Sequence, residues 1–304
     1  MNVLKILGCG SALPVGTRLP SAQLLEDNGR YFLIDCGEGT QLKIRENKIS
    51  FNRITHIFIS HLHGDHYFGL PGLLSTFQLL GRTAELHLFG PKELMDILNL
   101  QFKLSKTYLN YPLIFKAVEG TEKTLIWEDK FINVYSLPLN HRIQCSGYFF
   151  QELKKPNHLR IDMLEDYNIP HYLRGKIKEG ADFTTENGEV IPHNKLTKPS
   201  ENPISFAYCS DNRVSSKDLF NLKGVDYLYH ETTFLHQDVD KAIKTFHSTA
   251  KEVAELAKKL AVKKLVIGHY SARYGNLKDF QIECQKEFEN VIIGKEGLEL
   301  RFEE

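Results

Sequence analysis

The run His61-Leu62-His63-Gly64-Asp65-His66 constrains this chain more than any other feature, because it places four metal-capable side chains within six positions. In an extended or looped segment His61 and His63 point to the same side, while Asp65 and His66 can turn toward a second point nearby. Imidazole nitrogens and carboxylate oxygens at ~2.0–2.2 Å suit Zn²⁺, with Mn²⁺ or Fe²⁺ as alternatives, and no thiolate is needed. A charged loop ahead of a helix is the bland alternative. It is the weaker one, since the run directly follows the strand-like stretch Ile57-Phe58-Ile59-Ser60.

One such motif cannot fill two metal sites, so further donors must come from elsewhere in the chain. Apolar runs alternate with helical stretches, which argues for an α/β layered protein. Several of the runs end on a donor: Val134–Leu139 leads to His141, Phe206–Cys209 to Asp211, and Leu265–Gly268 to His269. Tyr227-Leu228-Tyr229 leads likewise to His230 and Glu231. Strand ends and the loops after them are where a rigid sheet can hold side chains around one point. A common site is the economical reading. His56, His87, His158, His171, His193 and His236 are scattered singly and read as ordinary surface or core histidines.

Helices are predicted from Asp65 to Leu80 and from Pro91, a proline at a permitted first-turn position, to Leu104. Thr249-Ala250-Lys251-Glu252 fits a capping box, which puts His247 just ahead of a helix. Gly8-Cys9-Gly10 lacks the lysine and the spacing of a nucleotide fingerprint and reads as a tight turn beside the cleft. Between about 151 and 200 the periodicity fades into turn signals such as Asn168-Ile169-Pro170 and Glu186-Asn187-Gly188, as expected of an inserted arm or second small element.

Composition excludes more than it selects. Of 304 residues, 38 are basic and 38 acidic, so no global positive field attracts nucleic acid or a membrane, and any polyanion site must be local. The start lacks the long apolar core of a signal peptide, and no segment approaches the ~20 apolar residues of a membrane span, so a cytoplasmic protein without membrane partners is expected. The five cysteines are scattered and never form Cys-x-x-Cys, which points to reduced, buried thiols.

The donor pattern, with Gly8-Cys9-Gly10-Ser11-Ala12, Asp35-Cys36-Gly37-Glu38-Gly39-Thr40-Gln41, His230-Glu231-Thr232-Thr233-Phe234, His247-Ser248-Thr249 and His269-Tyr270-Ser271-Ala272-Arg273-Tyr274, resembles the ribonuclease Z branch of the metallo-β-lactamase superfamily nearly end to end. The resemblance implies one αββα sandwich over 1–304, two mixed sheets packed between helices, with a protruding arm at 151–200. It implies two zinc ions per subunit, one held by His61, His63 and His141, the other by Asp65, His66 and His269, with Asp211 bridging. Asp65 would also orient or deprotonate the attacking water, and His247, paired with Glu231, would serve the leaving 3′-oxygen. The alternative for that pair is structural: Glu231 capping a loop and His247 pinning a helix start.

The activity implied is removal of the 3′ trailer from precursor tRNA by an endoribonuclease acting as a homodimer. In such relatives the arm grips the tRNA elbow across the dimer. Here Arg174-Gly175-Lys176-Ile177-Lys178 is the local basic cluster, and Arg174, Lys176, Lys178 and Arg273 are the candidate RNA contacts, although the eight Lys/Arg of 151–200 are matched by eight Asp/Glu. Two departures stand out. The Gly-Pro pair of many relatives' arms is replaced by Ile169-Pro170-His171, and their Pro-x-Lys-x-Arg-Asn loop by Pro14-Val15-Gly16-Thr17-Arg18-Leu19. The competing functions are a dinuclear hydrolase of small phosphodiesters or other esters, and a silent RNA-binding protein that keeps its metals for stability.

Overall fold

The structure is a computed structural model that describes residues 1–16, 18–214 and 220–303; Thr17 of the amino-terminal loop lies outside the described residues. The first half of the chain contributes β1 (Val3–Gly8), β2 (Ala22–Asp27), β3 (Arg30–Ile34), β4 (Ile54–Phe58), β5 (Leu86–Gly90) and β6 (Leu113–Ala117). Then come β7 (Thr124–Glu128), β8 (Ile132–Leu139) and β9 (Cys145–Glu152). Four two-residue strands follow: β10 (His158–Leu159), β11 (Phe183–Thr184), β12 (Val190–Ile191) and β13 (Thr197–Lys198). The chain closes with β14 (Ser205–Cys209), β15 (Tyr227–Glu231), β16 (Lys264–Gly268), β17 (Val291–Ile293) and β18 (Glu299–Arg301).

Two seven-stranded mixed sheets result, ordered β18-β1-β2-β3-β4-β5-β6 and β17-β16-β15-β14-β9-β8-β7. Each is antiparallel on one side and parallel on the other, the change falling between the β2/β3 and β3/β4 pairs in the first and between β9/β14 and β14/β15 in the second. Parallel strands are covered on both faces and lose alternation. All five residues of β15 are buried, and so are four of the five in β14 and in β16.

The sheets meet through aromatic side chains. Phe32 and Phe58 of the first sheet pack on Phe150 of the second at ring separations of 5.9 and 5.4 Å. Helices Leu70–Leu79 and Glu93–Ser105 cover the outer face of the first sheet with Leu70, Leu73, Leu74, Phe77, Leu94 and Leu98. Val253, Ala254, Leu256 and Ala257 of helix Ala250–Lys259 join the core of the second sheet. The layers are therefore helix, sheet, sheet, helix.

The helix predicted from Asp65 to Leu80 is broken into Gly64–Tyr67 and Leu70–Leu79. Pro71 at the start of the second piece has no N–H to continue the first helix's ladder. Gly69 also turns in against residue 37: a Cβ there would lie 2.2 Å from the carbonyl oxygen of Gly37, and its N–H donates to Cys36 O at 2.9 Å. Helix Glu93–Ser105 starts two residues after Pro91. The capping box forms as expected, with Thr249 and Glu252 exchanging side-chain-to-backbone bonds.

Residues 158–198 pack on themselves. β10 pairs with β13 and β11 with β12, and Leu164, Ile169, Ile177, Phe183, Ile191 and Leu196 form a hydrophobic cluster of their own. Residues 151 and 152 still belong to β9. All five cysteines are buried and unpaired. Among the described residues no helix is long and apolar enough to cross a membrane.

Candidate metal centre

Sheet register brings the strand-end residues to one rim. β4 ends three residues before His61, β8 two before His141, β14 two before Asp211, and β16 immediately before His269. His269 has φ +61°, a left-handed turn at the strand end, and its Nε2 lies 3.0 Å from Asp211 Oδ1. The cleft has a volume of about 550 Å³, and His63, Asp65, Asp211 and His247 line it together with Ser11, Leu13, Pro14 and Phe68. The Gly8–Gly10 turn stands beside it. Gly8 is required there, because a Cβ would lie 1.9 Å from the carbonyl oxygen of Pro20.

Two donor sets share Asp211. Nε2 of His61 lies 3.0 Å from Nδ1 of His63 and 3.5 Å from Oδ2 of Asp211. Nε2 of His141 lies 3.2 Å from the same His63 nitrogen and 3.6 Å from the same Asp211 oxygen. In the second set, Nε2 of His66 and of His269 each lie 3.4 Å from Oδ2 of Asp65, and 3.3 and 3.0 Å respectively from Oδ1 of Asp211. A tetrahedral ion with bonds of ~2.0–2.1 Å has donor-to-donor edges of about 3.3 Å, so both sets have the right span for one ion each.

The far sides of the rings show which nitrogens are free. His66 Nδ1 bonds Asp35 Oδ2 at 2.8 Å, His61 Nδ1 bonds Ser60 Oγ at 3.0 Å, and His141 Nδ1 bonds the Phe246 carbonyl at 3.1 Å. His269 Nδ1 bonds Thr233 Oγ1 at 2.9 Å, and that hydroxyl donates onward to Glu231 Oε2 at 2.7 Å. With these four Nδ1 atoms donating, the Nε2 lone pairs point into the cluster, those of His61 and His141 toward Asp211 and those of His66 and His269 toward Asp65 and Asp211, while His63 presents its Nδ1. Nε2 of His66 and Oδ1 of Asp211 are buried without a hydrogen-bond partner. Such a convergence of acceptors is satisfied by cations. Burial disfavours a charged His66, yet Asp65, Asp211 and Asp35 outweigh it and raise its pKa well above the ordinary value, so the surroundings favour positive charge at that point.

Behind the donors stands Asp35, fully buried and at φ +56°, which the sequence reading did not single out. It accepts from Ser60 N at 2.8 Å, Tyr208 Oη at 2.7 Å and His66 Nδ1 at 2.8 Å. The signal was available, since Asp35 follows β3 as His269 follows β16. The backbone N–H of Ala12 was also missed; it donates to Asp65 Oδ2 at 2.8 Å.

Glu231 and His247 are in contact, Oε1 to Nδ1 at 3.0 Å, with His247 Nε2 3.9 Å from Asp211 Oδ2. Burial opposes protonation of His247, but Glu231 and Asp211 prevail and push its pKa up to about 9. Burial also opposes ionisation of Glu231; His247 reverses this and holds its pKa below the ordinary value. His230, although adjacent, faces away: its ring bonds the Glu231 carbonyl at 2.7 Å and lies 3.1 Å from Asn212 Nδ2. It belongs to the scaffold.

The candidate RNA contacts fall in two places. Arg174, Lys176 and Lys178 fall on the short helix Arg174–Lys178, where Ile177 is buried and the two lysines are exposed. Arg174 is half-buried and donates to the Ile169 carbonyl at 3.3 Å. Arg273 stacks over Phe234 at 5.1 Å and faces Asp238 at 3.7 Å.

Two mixed sheets between helices, with a histidine–aspartate cluster at their rim, define a hydrolase of the metallo-β-lactamase fold. A family model described as the anti-Pycsar protein Apyc1 matches residues 2–110. Over 297 residues the chain is 46% identical to the Ribonuclease Z of Parabacteroides distasonis, covering 98% of each. It is similar to the crystal structure of human tRNase Z, short form, with a TM-score of 0.69 and 25% identity over 98% of both chains. The metallo-β-lactamase fold protein YhfI from Bacillus subtilis gives a TM-score of 0.66 at 16% identity over 99% of both. The chain belongs to the ribonuclease Z family.

Proposed function

We propose that this chain is a two-zinc endoribonuclease that removes the 3′ trailer from precursor tRNA and leaves a 3′-hydroxyl. His61, His63 and His141 would hold one ion, Asp65, His66 and His269 the other, with Asp211 between them. Bound there, the two ions supply a water nucleophile at neutral pH and neutralise the phosphate oxygens. The carrying observation is that the two four-residue donor sets meet on opposite oxygens of one carboxylate, Oδ2 of Asp211 in the first and Oδ1 in the second.

The protein's own groups handle the protons. The Ala12 N–H fixes Asp65, which accepts a proton from the attacking water as the new P–O bond forms. With Nδ1 of His247 held by Glu231, its Nε2 faces the cleft and gives a proton to the 3′-oxygen as the P–O3′ bond breaks. Residues 151–200 would act as the arm of a single 1–304 domain, with Arg174, Lys176 and Lys178 meeting tRNA phosphates, and the enzyme would work as a cytoplasmic homodimer.

The decisive experiment incubates purified protein with a 3′-extended precursor tRNA, with and without chelator, and maps the product ends. Cleavage at the trailer junction that stops with chelator and returns with Zn²⁺ is expected. Hydrolysis of a small diester with no cleavage of precursor tRNA would establish the small-substrate function instead. Unchanged turnover in both Asp65→Ala and His247→Ala would remove the proton roles.

A further inference from the structure

Arg213 sits two residues beyond Asp211 and ties together three loops of the cleft. Its N–H donates to the Asn140 carbonyl at 2.8 Å, next to His141, and Asn140 N in turn donates to Asn212 Oδ1 at 2.8 Å. Its guanidinium reaches the loop that carries His247: Nη1 donates to the His247 carbonyl at 3.2 Å and to Glu252 Oε2 at 2.6 Å, and Nη2 donates to Glu252 Oε1. Glu252 is the carboxylate of the capping box, whose Oε2 also accepts from Thr249 N at 3.0 Å. One planar fork therefore joins the metal-side loop to the start of helix Ala250–Lys259, directly across His247.

That joint matters because the backbone of His247 belongs to neither flanking helix, although its N–H donates to the Ala242 carbonyl at 2.9 Å. His247 follows Phe246, which is at φ +58°, in a short link between helices Val239–Thr245 and Ala250–Lys259. The carbonyls on either side of the His247 Cα are pinned by partners from the cleft: Phe246 O accepts from His141 Nδ1 at 3.1 Å, and His247 O accepts from Arg213. Two parallel charge-assisted bonds fix an orientation that a lysine ammonium, a point charge, cannot reproduce.

We infer that Arg213 is a positioning residue, holding the His247 imidazole where its Nε2 can protonate the leaving 3′-oxygen. This rests on the proton-donor role proposed for His247. Arg213 acts through the backbone of His247 and through Glu252, so its loss should matter only when the leaving group needs a proton.

The test compares precursor tRNA, whose leaving alkoxide needs protonation, with bis(p-nitrophenyl) phosphate, whose p-nitrophenolate leaves as a stable anion. His247→Ala should lower kcat on precursor tRNA by roughly 10²–10³-fold, the scale of a lost general acid. Arg213→Met should lower it by roughly 10–100-fold with KM within about threefold, and Arg213→Lys by an intermediate factor. Arg213→Met and Arg213→Lys should hydrolyse the small diester within about threefold of wild type. Combined with His247→Ala, Arg213→Met should cost less than about twofold more. Equal losses on both substrates, no loss on tRNA, or additivity in the double variant would each overturn the inference. If Arg213→Met does not fold, Glu252→Gln, which keeps the cap and weakens the fork, should show the same substrate split; its absence is again fatal. If His247→Ala itself cleaves tRNA normally, the proton-donor reading has failed, and that outcome is distinct from a failure confined to Arg213.

Discussion

The cleft and the segment 158–198 solve opposite problems. The donors of the cleft come from four strand ends far apart in the chain, His61 to His66 after β4, His141 after β8, Asp211 after β14 and His269 after β16, and nearly every ring is held from behind, as Asp35 holds His66 and Thr233 holds His269. The segment is local: its outermost pairing joins His158 to Lys198, and its core draws only on residues within it. Bond-making needs atoms fixed within fractions of an ångström, which long-range packing supplies. Attraction to a phosphate backbone needs charge within reach, and exposed lysines on a small self-contained unit suffice.

If that division holds, the basic residues of the segment can be removed without touching the chemistry. The triple variant Arg174→Ala/Lys176→Ala/Lys178→Ala should lose about 100-fold in kcat/KM on precursor tRNA near physiological salt and flatten the salt dependence of binding by up to ~3 in log–log slope. Hydrolysis of bis(p-nitrophenyl) phosphate should stay within about twofold. Steady-state kinetics at several salt concentrations would check this, and a parallel fall on both substrates would erase the division between the two regions.

Asp35 gives the reverse test, a cleft residue that touches no candidate RNA contact. In Asp35→Ala, His66 Nδ1, Ser60 N and the Tyr208 hydroxyl lose their shared acceptor. Partners behind metal-bound histidines typically contribute a factor of roughly 10–100 in metal affinity. Chelator competition should therefore show a loss of that size, with turnover largely restored by excess Zn²⁺ and KM for tRNA little changed. Affinity within twofold of wild type would mean that His66 needs no support.

The cleft was legible because histidine and aspartate are conspicuous where they follow apolar strands, and all seven proposed ligands lie together. What stayed hidden depends on pairing. Asp35 reaches His66 because β3 lies parallel to β4 with Ile34 opposite Phe58, a register that no local pattern reveals. His230 and Glu231 end the same strand, and alternation allows only one of them to face the cleft; the neighbouring strands decide which. Arg213 meets Glu252 from 39 positions away. In the segment 158–198, turn residues marked an irregular insertion, but strands of two residues carry no periodicity from which to read their pairing.

Histidine burial separates the regions as well, and it yields the smallest of the expected effects. His158 and His171 of the segment are exposed, whereas His56 lies inside the sandwich, 4.8 Å from the His87 ring and 4.3 Å from that of Trp127, with Nε2 lacking a hydrogen-bond partner. Burial, reinforced by His87 and Arg30, lowers its pKa to about 3. The unfolded chain takes up this proton near pH 6.5, and the folded chain only near 3. The folded state is therefore penalised progressively as pH falls through that window, by about 1.4 kcal/mol at pH 5.5. His56→Phe keeps an aromatic ring and removes the titration. Between pH 7.5 and 5.5 the wild-type Tm should drop relative to that of the variant by about 2 °C, measured with metal content matched. A Tm difference independent of pH would show that the buried imidazole is protonated along with the rest of the fold, and that the sandwich bears acid no worse than the segment attached to it.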